Sequence, residues 1–320
     1  MTKKAEEYKN VKKAMESAVA AESRQTAEML MAPDSCRRGD QGLFLSPGGM
    51  NAHPFPLDLL GKEAAERLIR FVSARQKEDG GFGLTPRLPA TVEDTYYGVR
   101  ILELLGKEAL AARTRSYLDR LDWSVSRRAK IIHAILYLRR KFACPMAYPH
   151  PFFPASKPLI LEEIYYWHKI AQICEPENDD LMPRFDLTEV ALPADPIMRE
   201  VRYYLALKAD CLAPSEVAHW VRWVQACQTP DGGFGFKPGT TAFMDNVLPA
   251  LEVLRQLGHA PRHVQKLLDF ILACQTRAGG FARTSGGVAF LESSFQAVKS
   301  LQLLREIASE TGTNSGDGLP

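Results

Sequence analysis

The chain has little surplus charge of either sign: 40 Lys and Arg stand against 38 Asp and Glu, a formal net charge of +2 over 320 residues. Those charges are spread along the chain with no long basic tract, so no nucleic-acid partner is expected. Cysteine is sparse and scattered. The six (Cys36, Cys144, Cys174, Cys211, Cys227 and Cys274) form no Cys-x-x-Cys pair, and they read as packing residues rather than metal ligands or disulfides. Met1 opens a charged segment with no apolar stretch behind it. Neither a signal peptide nor a spanning helix is therefore expected, and the compartment is read as a reducing cytoplasm.

What the chain does have is a repeat. Gln228-Thr-Pro-Asp-Gly-Gly-Phe234-Gly has counterparts in Gln76-Lys-Glu-Asp-Gly-Gly-Phe82-Gly, 152 residues upstream, and Gln275-Thr-Arg-Ala-Gly-Gly-Phe281-Ala, 47 downstream. Such spacing marks units that share one buried surface, so one large domain is expected rather than two. Before each copy an amphipathic helix is expected, with Val217, Trp220, Val221, Val224 and Cys227 on one stripe of the second. Glycine then turns the chain, because it enters positive φ without steric cost. About a dozen residues on stands an acid, Asp94, Asp245 or Glu292, opening a helix apolar nearly all round, as in Val247-Leu-Pro-Ala-Leu-Glu-Val-Leu254. Alternating outer and inner helices of this kind, five or six pairs in all, would close an all-α double ring, an α/α toroid with a central cavity.

In chain order, 1–32 is expected to be an N-terminal helix packed on the ring, 33–307 the toroid, and 308–320 a disordered tail. Prolines in 143–158 exclude a helix there. An apolar loop of this kind suits a lid, a peripheral membrane contact or a packed connection equally. The run Glu177-Asn-Asp-Asp180 reads as a solvated turn.

The run Gln-x-x-Asp-Gly-Gly-Phe-Gly followed by Asp94-Thr-Tyr-Tyr-Gly-Val-Arg-Ile-Leu resembles the repeat shared by protein prenyltransferase β subunits and the squalene and terpene cyclases. The resemblance is sharp over roughly 62–106 and 213–305, and it bears on fold more than on reaction. Phe in place of the cyclases' Trp, and Lys237-Pro-Gly239 after the turn, lean towards the prenyltransferase branch. The resemblance implies a zinc site built from an Asp, a Cys two residues on and a His from the next repeat. Here those places hold Asp245, Val247 and Glu292, so neither that metal nor any cofactor is expected. The family's basic diphosphate-binding residues fall on Gly239 and Ala242. Of the cyclases' Asp-x-Asp-Asp, only Glu93-Asp94 remains. That pair would protonate an alkene if buried and dry; the plainer reading is that Asp94 caps its helix.

The candidate catalytic residues are accordingly Glu93, Asp94, Asp245 and Glu292. Three Tyr-Tyr pairs suggest an aromatic cavity suited to an isoprenoid chain, with Tyr96, Tyr97, Tyr165, Tyr166, Trp167, Tyr203 and Phe290 as candidate substrate contacts. His133 and His168 are read as core histidines that could face the lumen. Arg127 and Arg128, at the start of a helix that lacks the acid, read either as an anion site or as a solvated helix start. The function expected is an enzyme acting on an isoprenoid or similarly long apolar substrate by acid or cation chemistry. The alternatives are a non-catalytic toroid binding a lipid or a protein, and a divergent prenyltransferase.

Overall fold

The computed structural model describes residues 57–123, 126, 128–146, 160–174, 190–208 and 211–313, with side chains from 59 to 308. The expected N-terminal helix of 1–32, Arg127, most of the loop 143–158 and the run 177–180 lie outside the described residues.

After a helical turn at Leu57–Leu60, helix α1 (Lys62–Ser73) buries Ala65, Leu68, Phe71 and Val72 on one stripe and leaves Glu63, Glu66 and Arg70 in solvent. That is how an outer helix reads. Helix α2 (Val92–Leu104) instead buries Thr95, Tyr97, Gly98, Val99, Ile101, Leu102 and Leu104, because other helices wall it on most sides. The chain continues through α3 (Thr114–Arg120), α4 (Ala129–Lys141), α5 (Leu161–Ile173), α6 (Met198–Lys208), α7 (Pro214–Ala226), α8 (Met244–Gln256), α9 (Val264–Ala273) and α10 (Leu291–Thr313). A two-residue antiparallel ladder, β1 (Phe281–Ala282) with β2 (Ala289–Phe290), leads into α10. The fold is thus all-α, as expected. Helix α10 runs to Thr313, well into the stretch 308–320 expected to be a disordered tail.

Six inner helices close a ring: α2 packs on α4, α4 on α5, α5 on α6, α6 on α8, α8 on α10, and α10 back on α2. Outside it lie α1 against α2, α3 against α4, α7 against α8 and α9 against α10. Among the described residues no outer helix accompanies α5 or α6.

The repeated turn is what joins one unit to the next. Gly80, Gly232 and Gly279 sit at φ 93°, 94° and 96°, a region that L side chains rarely adopt. A Cβ on them would lie 2.0 Å from the Arg113 carbonyl oxygen, 2.2 Å from the Lys266 carbonyl carbon and 2.3 Å from the Arg67 carbonyl oxygen. Each turn therefore presses its bare backbone on the following outer helix, and the third presses on the first. The Gln that opens each motif ties the same contact. Gln228 donates to Gly232 O at 3.0 Å and accepts from His263 N at 3.0 Å; Gln275 donates to Gly279 O and to Ala64 O, both at 2.9 Å. The motif's Phe (Phe82, Phe234, Phe281) is then folded under the turn and wholly buried. Cys227 and Cys274 are buried at 1% exposure each, in keeping with a packing role, and burial pushes their thiols up to about 12 and about 11.

Candidate functional site

Aligning the three motifs on their Phe places Glu93, Asp245 and Glu292 eleven residues on, each the second residue of its inner helix. The repeat partner of Asp245 in the first unit is therefore Glu93, not Asp94. The same position in the other inner helices holds Lys130, Glu162 and Arg199. All six line one cavity of about 530 Å³ inside the ring. The first residue of each helix packs outwards or into the core, so the second, turned by about 100°, meets the lumen.

From that rim the helical period dictates what comes next: residues three, four and seven further on share the lumenal face. The three-and-four layer contributes Tyr96, Tyr97, His133, Tyr165, Tyr166, Arg202, Tyr203, Leu248 and Phe295 among others, and the seventh contributes Arg100, Tyr137, Lys169, Glu252 and Lys299. The lumen is thus a charged rim, a mostly aromatic belt and, roughly 10 Å deeper by helical rise, a charged floor. The aromatic rings meet edge-on or tilted: Tyr96 to Tyr137 at 5.4 Å, Tyr165 to Tyr203 at 4.7 Å, His133 to Tyr166 at 5.5 Å between centroids. Burial raises the pKa of all these phenols; Tyr166 is pushed up to about 12. Burial, then the charges of Lys169, Arg100 and Arg202, lowers His133 to about 4, so its imidazole is neutral in the folded protein.

Between belt and floor, Arg202 pairs with Glu252 and donates to the Tyr165 hydroxyl at 2.9 Å. Arg100 pairs with Glu103 at 3.1 Å, and Glu103 also accepts from Lys141 at 2.7 Å and from the Tyr137 hydroxyl. At the rim, Lys130 Nζ stands 3.2 Å from Glu93 and 3.7 Å from Glu292, and Glu292 accepts from the Tyr97 hydroxyl at 2.7 Å. Arg283 pairs with Asp245.

The four candidate acids do gather. Glu93, Asp94, Asp245 and Glu292 line a second cavity of about 480 Å³ at the rim end, with Phe290 and Arg283. They do not gather in a dry point: the side chains of Glu93, Asp245 and Glu292 keep 40%, 36% and 50% of their exposure, and Lys130 and Arg283 stand among them. Asp94 lies apart from the main lumen. Thr91 is the helix cap, its Oγ1 accepting from Asp94 N at 3.0 Å and its hydroxyl donating to Asp94 Oδ2 at 2.8 Å. So the cap expected of Asp94 belongs to Thr91, with Asp94 as its partner one turn in. Burial, offset in part by that Thr91 bond, raises the Asp94 carboxyl, and the Glu93 and Glu292 charges raise it further.

Of the expected substrate contacts, Tyr96, Tyr97, Tyr165, Tyr166 and Tyr203 line the lumen. Trp167 does not: it packs between α4 and α5 with Trp123, Ile132, Ile135 and Ile170, because it points away from the helical face that carries Glu162, Tyr165 and Lys169. Phe290 faces the rim-end cavity rather than the lumen, and Arg128 is exposed just before α4 and away from it. His168 is partly buried beside Gln172 and off the lumen wall, whereas His133 is on it. The sequence reading passed over Arg100, Lys130, Lys169, Arg202, Glu252 and Lys299. Arg100, Glu252 and Lys299 lie seven residues after the acids aligned on the Phe, but no such motif precedes α4, α5 or α6, so Lys130, Lys169 and Arg202 carried no comparable signal.

The zinc site that the resemblance implies does not fit these residues. Val247 is fully buried and brings no donor atom, and Asp245 is engaged by Arg283. Among the described residues no three His, Cys, Asp or Glu come together as a metal would need. No helix among them is long and apolar enough to cross a membrane.

A family model described as the prenyltransferase alpha-alpha toroid domain matches residues 55–141 and 200–314. No curated protein matches the chain.

Proposed function

The chain belongs to the prenyltransferase α/α toroid family, and from that premise we propose that its lumen binds one amphiphilic ligand of isoprenoid type. The observation that carries this reading is the belt of tyrosines, Tyr96, Tyr97, Tyr165, Tyr166 and Tyr203, with Tyr137 just below it, closed by six inner helices between two charged layers. Ring faces and edges bury an unsaturated chain well, and they stabilise positive charge developed on it. A pure hydrocarbon fits poorly. It would strip water from Arg202, Glu252, Lys169 and Lys299 and return nothing. This narrows the long apolar substrate expected from the sequence to one that carries a polar group.

A second reading, turnover begun by a proton from the rim acids, is favoured by the raised Asp94 carboxyl and by the gathering of Glu93, Asp245 and Glu292 around it. Against it stands Lys130 beside two of those acids. An alkene-protonating carboxyl needs a neutral, dry setting.

Binding of farnesol and of its anionic derivatives, followed by native mass spectrometry and tryptophan fluorescence, tests the first reading. One ligand per chain is expected, with affinity falling at least about tenfold in Tyr166→Ala and Tyr96→Ala. No binding by any of them, or unchanged binding in both variants, would overturn it. Conversion of a bound ligand that is lost in Asp94→Asn would establish the second.

A further inference from the structure

The lumen has a direction. Its rim carries four carboxylates, Glu93, Glu162, Asp245 and Glu292, against Lys130 and Arg199, whereas the deeper layers carry Arg100, Lys169, Arg202 and Lys299 against Glu252. Two of those deep cations are already engaged, Arg202 by Glu252 and Arg100 by Glu103. The other two are not. Lys169 donates to Gln172 Oε1 at 3.2 Å and lies 5.9 Å from the centroid of the Tyr165 ring, and Lys299 donates to Gln302 Oε1 at 2.9 Å. Among the described residues neither has a carboxylate partner. One turn before Lys299, on the same lumenal face, Gln296 Oε1 is buried without a hydrogen-bond partner.

We infer that Lys169 and Lys299 form an anion subsite at the deep end of the lumen, which receives the carboxylate or phosphate of an amphiphilic ligand while its chain runs back through the tyrosine belt towards the acidic rim. The inference rests on the lumenal-binding reading above and adds the ligand's charge and its orientation. Two partly buried ammonium groups with no carboxylate at ion-pair distance are costly as they stand, Glu252 attracting both, and Glu306 attracting Lys299, only from further off. Burial lowers the pKa of both, and the Arg202 charge lowers Lys169 further. An anion beside either of them offsets its burial, and charge-assisted bonds from partly buried donors are the stronger kind. The acidic rim works in the same sense, because it repels an anion that stops at the mouth and leaves the floor as the favourable place. A diphosphate or carboxylate lying at the rim, next to Glu93 and Glu292, would meet four acids offset by Lys130, Arg199 and an Arg283 already paired with Asp245.

The test compares three ligands with one tail: farnesol, farnesoic acid and farnesyl phosphate, titrated calorimetrically into the full chain and into Lys169→Met and Lys299→Met. The expected result is that at least one anionic form binds about tenfold or more tightly than farnesol. Each lysine variant should then lose most of that preference, with farnesol bound no more weakly than by the parent. Which anion gains more identifies the head group as carboxylate or phosphate. Farnesol binding as tightly as both anions would overturn the subsite while leaving the lumenal-binding reading intact. Failure of all three to bind would overturn both. A preference that survives both deep variants but vanishes in Lys130→Met would place the anion at the rim and overturn the inference. Should a variant melt before it can be titrated, the comparison of the three head groups on the unaltered chain still decides, together with Lys169→Gln and Lys299→Gln, which keep a polar tip.

Discussion

Arg67 and Gln275 are 208 residues apart in the chain, and the guanidinium of one donates to the side-chain oxygen of the other at 3.0 Å. Their contact closes the ring. It repeats what Arg113 does for Gln76 at 3.2 Å and what His263 N does for Gln228, so the last turn treats the first outer helix as its next neighbour. A circular arrangement has no terminal unit to cap.

Closure makes Gly279 a sensitive position. Its φ of 96° and a Cβ only 2.3 Å from the Arg67 carbonyl oxygen mean that Gly279→Ala adds both strain and a clash. A loss of roughly 1–3 kcal/mol or more is expected. Gly239 has a similar φ of 80° with nothing within 4 Å, so Gly239→Ala should lose only the strain, about 1 kcal/mol. Urea unfolding midpoints compare the two; equal losses would show that docking on α1 does not matter. Gly232 behaves as Gly279 does. Gly233 has ordinary φ, and its intolerance of a larger residue comes from Ala242 and the Phe270 ring, within 2.8 Å of an added Cβ.

The first and third units hold their buried Phe by a hydroxyl that the second lacks. Phe82 N donates to Thr95 Oγ1 at 2.9 Å and Phe281 N to Ser294 Oγ at 2.8 Å, while the matching residue after Phe234 is Val247. Thr95→Val and Ser294→Ala should each cost about 1–3 kcal/mol, the usual penalty for leaving a buried donor unpaired. Val247→Thr should lie within about 1 kcal/mol of the parent, because the new hydroxyl has the same donor to meet. A neutral Thr95→Val in thermal unfolding would remove the role given to the hydroxyl.

His133 predicts a pH dependence. Its folded pKa of about 4 lies below the ordinary value of 6.5, so the unfolded chain binds the proton first and stability is lost as pH falls from about 6.5 towards 4. The groups facing the imidazole are Tyr96, Tyr166, Lys169, Arg100 and Arg202, and none of them takes up a proton in that window. The full loss is roughly 3 kcal/mol, of which about 2 kcal/mol falls between pH 7 and pH 5. Chemical unfolding at pH 7 and pH 5 should show it in the parent and not in His133→Gln, and an equal loss in both would refute the assignment.

Thr91, rather than Asp94, should carry the cap of α2. Thr91→Ala should cost about 1 kcal/mol and Asp94→Asn clearly less, since the amide oxygen still accepts from the Thr91 hydroxyl. The opposite order in melting midpoints would return the cap to Asp94.

The linear chain by itself determined the ring. Three copies of Gln-x-x-x-Gly-Gly-Phe, amphipathic helices before them and all-apolar helices after them are local patterns, and each has one physical reading wherever it occurs. Within the helices that carry them, Tyr97, Tyr166 and Tyr203 recur at matching places. Only the tertiary structure decided which face of each inner helix met the lumen, because an inner helix is buried nearly all round and its periodicity no longer points inwards. That is why Trp167, one residue from Tyr166, lies in the outer core, and why Lys169 and Lys299, ordinary-looking lysines in the sequence, stand in the floor of the cavity. The pairing of Lys130 with both Glu93 and Glu292 was equally out of reach. It joins residues from three helices that are neighbours only once α10 has returned to α2, and charge pairs made by ring closure leave no trace in local spacing.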